Sequence, residues 1–158
     1  MRYVLVDRIT SLEPGRSLTA VKNVSASDGM VTRYGKDLWA LPAAMVLESM
    51  AQAAGLLAAS TIHCGAHPAL AKVQPFVAHG YAVPGDQIVL RAELAALHAR
   101  GCRSHTTATI RSMPLAEATI YLAFITSEGW QRGDCLRTVL AQTFPEWFRA
   151  HDGARVSS

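Results

Sequence analysis

The stretch Leu41–Ser60, LPAAMVLESMAQAAGLLAAS, decides the fold. Ala, Leu, Met, Glu and Gln dominate it, all good helix formers. Pro42 suits a first helical turn, where a missing N–H costs nothing. Apolar residues occupy nearly every face, so the helix has to be wrapped rather than laid on a surface. One charge, Glu48, sits near its middle. A carboxylate is costly to bury unless it is satisfied or used. Its neighbours three and four residues away are Ala44, Met45, Ala51 and Gln52. Three are apolar, so Glu48 is expected to be desolvated, with Gln52 one turn on as a hydrogen-bond partner. An ionisable group on a buried apolar helix contributes little to packing, which marks Glu48 as a functional candidate.

The rest of the chain supplies what wraps that helix. Tyr3–Ile9 (YVLVDRI) reads as a strand, Glu13–Arg16 (EPGR) as a tight turn and Ser17–Val24 as a second strand. A polar, Gly-containing loop follows over 25–37. Beyond the helix, Ala69–Val77 reads as a strand whose Pro75 suggests an edge or a bulge. Val83–Asp86 (VPGD) is a turn. QIVLRAELAAL (87–97) fits strand or helix by period alone, and its Pro-Gly-Asp start and β-branched pair favour strand; Cys102–Arg111 and Leu115–Thr126 read as strands, with SMP turning the chain before the last. Short connections favour antiparallel pairing. One apolar helix and one antiparallel sheet make an α+β layer, with the sheet curled around the helix. This domain is expected over 1–127. Residues 128–158 read as a C-terminal extension, with short helical pieces around Pro145 and a frayed tail.

Composition narrows the function classes. The chain has 158 residues, enough for one domain with one core. Half are hydrophobic and 17% charged, a globular balance. So little charge points to more buried surface than a lone small domain needs, hence an oligomer. Glu48, Ser49 and Gln52 interrupt the longest apolar run, so no membrane span is expected. The opening MRYVLVDRIT lacks the pattern of a secretory signal, which predicts a cytoplasmic protein. Cys64, Cys102 and Cys135 are odd in number and far apart, so neither a disulfide framework nor a structural metal site is expected. HCGAH (His63–His67) has no second ligand cluster after it. The net charge is +3 and the pI about 9.0. Basic residues are dispersed, without the aromatic-interleaved basic stripe of a nucleic-acid binder. A mildly positive surface suits an acidic partner.

Four segments, in this order, resemble the hotdog fold of the 3-hydroxyacyl-ACP dehydratases, the FabZ/FabA-like family. YVLVDRITSLEPGRSLTAVKNVS is similar to the opening strands, and LPAAMVLESMAQAAGLLA to the central helix with its M-P-G-V-L-x-x-E-A-x-A-Q pattern. YAVPGDQIVLRAEL matches the P-G-D turn and strand, and PLAEATIYLAFI the closing strand. The resemblance implies an antiparallel sheet wrapped around a long helix. It places Glu48 on the family's catalytic carboxylate, which works with a histidine from the loop before the helix. It implies a thioester substrate on the phosphopantetheine arm of acyl carrier protein or on CoA, no other cofactor and no metal. The N–H groups at the helix start, here Ala43 and Ala44, would hold the thioester carbonyl. Two subunits would form each site. The partners implied are an acyl carrier protein or acyl-CoA, and a second subunit in a homodimer, a higher oligomer or a heterodimer with a complete dehydratase.

The sequence departs from that pattern in the loop. The family reads G-H-F-P-G; here Arg33–Pro42 is RYGKDLWALP. Tyr34 falls at the histidine position, Ala43 replaces the glycine after the proline, and no histidine occurs between Met1 and Ile62. A free imidazole titrates near 6.5 and a phenol near 10, so a tyrosine is the poorer base. His79, in FVAHGYAVPGD, precedes a turn that lies near the family's substrate channel and is the candidate replacement. Gln52 and Trp39 join Ala43 and Ala44 as substrate-binding candidates. Met45, Met50 and Leu56 are candidates for a channel wall, with plain core as the better reading of each. Arg33, Lys36 and Arg100 are candidate contacts for an acidic carrier. Three functions are open: an altered dehydratase using Glu48, a thioesterase using Glu48 and the helix N–H groups, and a non-catalytic acyl-binding or partner subunit.

Overall fold

The computed structural model describes residues 4–63 and 65–125, together with Pro145. The expected extension over 128–158, apart from Pro145, lies outside the described residues, as do Cys64 and Cys135.

The chain lays down β1 (Arg8–Glu13), β2 (Ser17–Asn23), β3 (Thr32–Tyr34) and β4 (Leu38–Ala40). Then come α1 (Ala43–Thr61), β5 (His67–Ala78), β6 (Gln87–His98), β7 (Gly101–Ile110) and β8 (Met113–Ile125). Six strands form one antiparallel sheet in the order β1-β2-β6-β7-β8-β5. The hairpin β3–β4 stands apart as a second, small sheet. The expected α+β wrap of an antiparallel sheet around one helix is present.

Alternation explains which face meets the helix. Ile88, Leu90 and Ala92 of β6 point inward and are fully buried. Cys102, Ser104, Thr106 and Ala108 of β7 do the same, as do Ala116, Ala118, Ile120 and Leu122 of β8. Against them α1 presents Val46, Met50, Ala53, Ala54, Leu57 and Ala58. The many alanines let helix and sheet approach closely, and Met50 fills the centre. Burial pushes the Cys102 thiol's pKa up.

Several expectations need correction. The first strand lies later than Tyr3–Ile9. Residues Val4–Asp7 form an extended strap in which Leu5 and Val6 are each 1% exposed. Leu5 and Val6 pack into the core, while Val4 is exposed. The loop over 25–37 contains β3 and the start of a hairpin. Its turn centres on Gly35, at φ +66°, between the runs Thr32–Tyr34 and Leu38–Ala40. The final turn is Arg111–Ser112, both with positive φ, and Met113 and Pro114 already belong to β8. Two left-handed residues make the tight two-residue link whose twist matches paired strands. Pro75 behaves as expected: β5 is an edge strand, and its register with β8 slips between Val73 and Phe76.

The wrap around α1 is also incomplete. The helix has the length and apolarity of a membrane span, but 61% of that window is buried inside the chain. The part left unburied includes a stripe at four-residue spacing, Ala44, Glu48 and Gln52. Ala44 and Glu48 are exposed and Gln52 is half-buried.

Candidate active site

The start of α1 is held from two sides. The N–H of Leu41 donates to the carbonyl of Ala82 at 2.8 Å, tying the helix approach to the loop before β6. The N–H of His79 donates to the carbonyl of Leu115 at 2.8 Å, fixing the end of β5 to the start of β8. Between these ties lies a cleft of about 450 Å³. Its apolar floor includes Leu41, Val46, Phe76 and Leu115. Polar groups reach it from Tyr34, His79 and Tyr81, and Ala43 forms part of its wall. An apolar hollow with a few convergent polar groups is the usual form of a small-molecule site.

Tyr34 reaches the cleft because β3 alternates. Tyr34 pairs with Leu38 on one face of the hairpin, and Arg33 pairs with Trp39 on the other. The Tyr34 ring meets that of Tyr81 at 5.5 Å between centroids, tilted by 54°. This is favourable aromatic geometry. It also braces the hairpin against the loop after β5. His79 Nε2 lies 3.4 Å from Glu117 Oε1, with both side chains substantially exposed. The carboxylate can orient the imidazole without burying it.

The helix start carries little of its own capping. Pro42 stands at the N-cap with no side-chain hydrogen bond, and the first turn has no acidic residue. The carbonyl of Pro42 accepts from the N–H groups of Met45 and Val46. The N–H groups of Ala43 and Ala44 have no partner within the helix and carry the positive end of its dipole. Such a terminus favours an oxygen that gains negative charge.

Glu48 stands apart from this cleft. Val46 lines the cleft, and Glu48 follows two residues later, about 200° around the helix axis. The carboxylate is exposed rather than desolvated: of its apolar neighbours only Ala51 is buried, and Ala44 is exposed beside it. Its hydrogen-bond partner is the expected one. Gln52 Nε2 donates to Glu48 Oε1 at 3.0 Å. The other end of the same amide, Gln52 Oε1, accepts from the N–H of Leu5 at 2.8 Å.

The chain thus gathers Tyr34, His79 and Ala43 around a cleft and leaves Glu48 and Gln52 on the opposite side of α1. Trp39 is 53% exposed on the hairpin face opposite Tyr34, outside the cleft lining. Met50 is core, and Met45 and Leu56 pack against that core; none of the three lines the cleft. Arg33 is folded back onto its own hairpin, with Nη2 donating to the carbonyl of Lys36 at 2.6 Å. Arg100 sits at the β6–β7 turn, at the far end of the sheet from the cleft.

Sequence reading missed Tyr81 and Leu5 as contributors. Tyr81 had a usable signal, lying two residues from His79 in a segment already singled out. Leu5 contributes through its backbone N–H, which no side-chain pattern announces.

Comparison with known proteins places the chain. No family model matches it. It is 29% identical over 122 residues to the 3-hydroxyacyl-[acyl-carrier-protein] dehydratase FabZ of Listeria monocytogenes, covering 77% of this chain and 85% of that protein. It is 38% identical over 94 residues to the FabZ of Vibrio atlanticus, covering 58% of this chain and 63% of that protein. Among solved structures, the dehydratase heterocomplex ApeI:P from Xenorhabdus doucetiae superposes with a TM-score of 0.66 at 14% identity, covering 78% of this chain and 84% of that one. A hypothetical thioesterase with coenzyme A from Streptococcus pneumoniae superposes with a TM-score of 0.63 at 12% identity, covering 76% and 86%. The architecture is that of the hotdog fold. In sequence the chain is similar to FabZ dehydratases, at 29–38% identity.

Proposed function

We propose that this protein processes acyl thioesters by dehydratase-type chemistry, with Glu48 as an acid–base group. The observation that carries this reading is the pairing of an oriented, accessible carboxylate with a separate apolar cleft that holds an imidazole and an uncapped helix start. The similarity to FabZ proteins supports the same reaction class.

In that reaction one group removes the proton from Cα of a 3-hydroxyacyl thioester. The electron pair of the broken C–H bond becomes the Cα–Cβ double bond. The Cβ–O bond breaks, and the leaving hydroxyl takes a proton to depart as water. The thioester oxygen gains charge as the α-proton leaves, and the Ala43 and Ala44 N–H groups stabilise it. Glu48 and His79 supply the two proton-transfer groups, with Tyr34 beside His79 where the family carries its loop histidine. Because Glu48 and the cleft lie on opposite sides of α1, the pair forms between subunits: Glu48 of one copy faces the cleft of another. The substrate is carried by acyl carrier protein or CoA, and no further cofactor takes part. The second copy is this same chain in a homodimer, or a complete dehydratase in a heterodimer.

A second reading is favoured by the uncapped helix start together with the absence of histidine before residue 63. Hydrolysis of an acyl thioester needs one carboxylate to activate water and N–H donors for the oxyanion. Glu48, Ala43 and Ala44 provide these without an imidazole.

Glu48→Gln tests both readings. The residue is exposed, so the variant is expected to keep wild-type stability within about 0.5 kcal/mol. Turnover of a 3-hydroxyacyl thioester is expected to fall at least about 100-fold. Wild-type turnover by this variant would remove Glu48 from the mechanism.

A further inference from the structure

We infer that Gln52 is a positioning residue, locked by the N-terminal strap so that it aims Glu48. The inference rests on the acid–base role proposed for Glu48 and assigns the part of the fold that sets its geometry.

The case begins with the amide itself. A glutamine side chain can turn either end toward a neighbour, and its partners decide which. Here one partner is the backbone N–H of Leu5, a donor only, at 2.8 Å from Gln52 Oε1. An N–H can be answered only by oxygen, so the amide cannot flip without orphaning this donor. Leu5 and Val6 are each 1% exposed, so the strap that presents the N–H is anchored in the core. The NH2 end is therefore turned toward the carboxylate, where it reaches Glu48 Oε1 at 3.0 Å.

The consequence for Glu48 is specific. A glutamate on an exposed helix face samples several rotamers. With Oε1 held by a donor one turn along, the side chain is confined and Oε2 points away from the bridge. Oε2 is then the oxygen that exchanges protons with substrate. The strap thus acts on chemistry through a backbone N–H, an amide and a carboxylate in series. A misplacement of about 1 Å at a reacting group can cost as much as 100-fold in rate.

Two variants separate positioning from packing. Gln52→Met keeps length and bulk but neither accepts from Leu5 nor donates to Glu48. Gln52→Glu still accepts from Leu5, but can donate to Glu48 only when the introduced carboxyl is protonated. Hydrogen exchange reads the bridge without any turnover. The Leu5 amide is expected to exchange at least about tenfold faster in Gln52→Met and to stay protected in Gln52→Glu, with β6 amides unchanged in both. In kinetics, Gln52→Met is expected to lower kcat by about 10- to 100-fold with KM within about twofold. Gln52→Glu is expected to lose kcat at neutral pH and to regain it as pH falls. A purely structural glutamine would give no such acid-side recovery.

Wild-type kcat in Gln52→Met, or a Leu5 amide equally protected in Gln52→Met, would overturn the inference. If the unsubstituted protein turns over no acyl thioester, the dehydratase reading fails. The bridge then stands or falls on the exchange result alone.

Discussion

Glu48 shows what a single residue reveals before folding and what it withholds. The helical spacing to Gln52 was legible, because residues four apart share a face whatever the tertiary structure, and the two side chains do meet. Exposure was not legible. Apolar neighbours at three and four residues predict burial only if the sheet closes all round the helix, and here it leaves the Ala44–Glu48–Gln52 stripe open. Lys22 errs the other way. It read as one more residue of a strand, yet it is 4% exposed. Its Nζ lies 3.1 Å from Asp28 Oδ2 and 3.9 Å from Asp7 Oδ1. Asp28 also accepts from the N–H of Ser25, and Asp7 from that of Asn23. This cation ties the strap and the loop after β2 to the sheet. Lys22→Met is expected to cost about 1–3 kcal/mol, because two carboxylates lose their counter-charge while part of their exposure softens the loss. Urea unfolding measures it, and an unchanged midpoint would contradict the assignment.

At the scale of elements, the helix and the four strands after it were readable. The helix is long and apolar, and a Pro-Gly turn at Pro84–Gly85 sets off the start of β6. The β3–β4 hairpin was not, because three-residue strands give too short a pattern to separate from a polar loop. That omission mattered for the site, since the hairpin is what carries Tyr34 to the cleft. The strap was misread for a related reason: Tyr3–Ile9 has the composition of a strand, but β1 begins only at Arg8, with Leu5 and Val6 buried in the core ahead of it. The β6–β7 turn gives a test at this scale. A Cβ added at Gly101 would fall 2.3 Å from the carbonyl oxygen of Leu122, on the neighbouring strand. Backbone cannot yield as a flexible side chain does, so Gly101→Ala is expected to cost about 1–3 kcal/mol, read as a lowered thermal midpoint. A midpoint equal to that of the unsubstituted protein would mean that β7 and β8 are farther apart than described.

At the scale of the whole molecule, the separation of Glu48 from the cleft is the main consequence of the fold. The resemblance pointed to two subunits per site; the positions of Glu48 and His79 on opposite sides of α1 give that expectation a geometric reason. Complementation tests it. Glu48→Gln and His79→Ala are each expected to be inactive alone. Mixed as dimers, half the molecules pair one of each, and in these one of the two shared sites has both groups intact. Roughly a quarter of full activity should return if subunits exchange freely. No recovery, with exchange verified, would place both groups of a site on one chain.

The central claim is that Glu48 takes part in acyl-thioester elimination. It is tested most directly by the intact mass of an acyl carrier protein loaded with a 3-hydroxyacyl chain, or with the corresponding enoyl chain, after incubation with this protein. The account predicts loss of one water from the first or gain of one by the second, and neither with Glu48→Gln. Loss of the whole acyl group would replace elimination by hydrolysis, and an unchanged mass from both substrates would contradict catalysis by this chain alone.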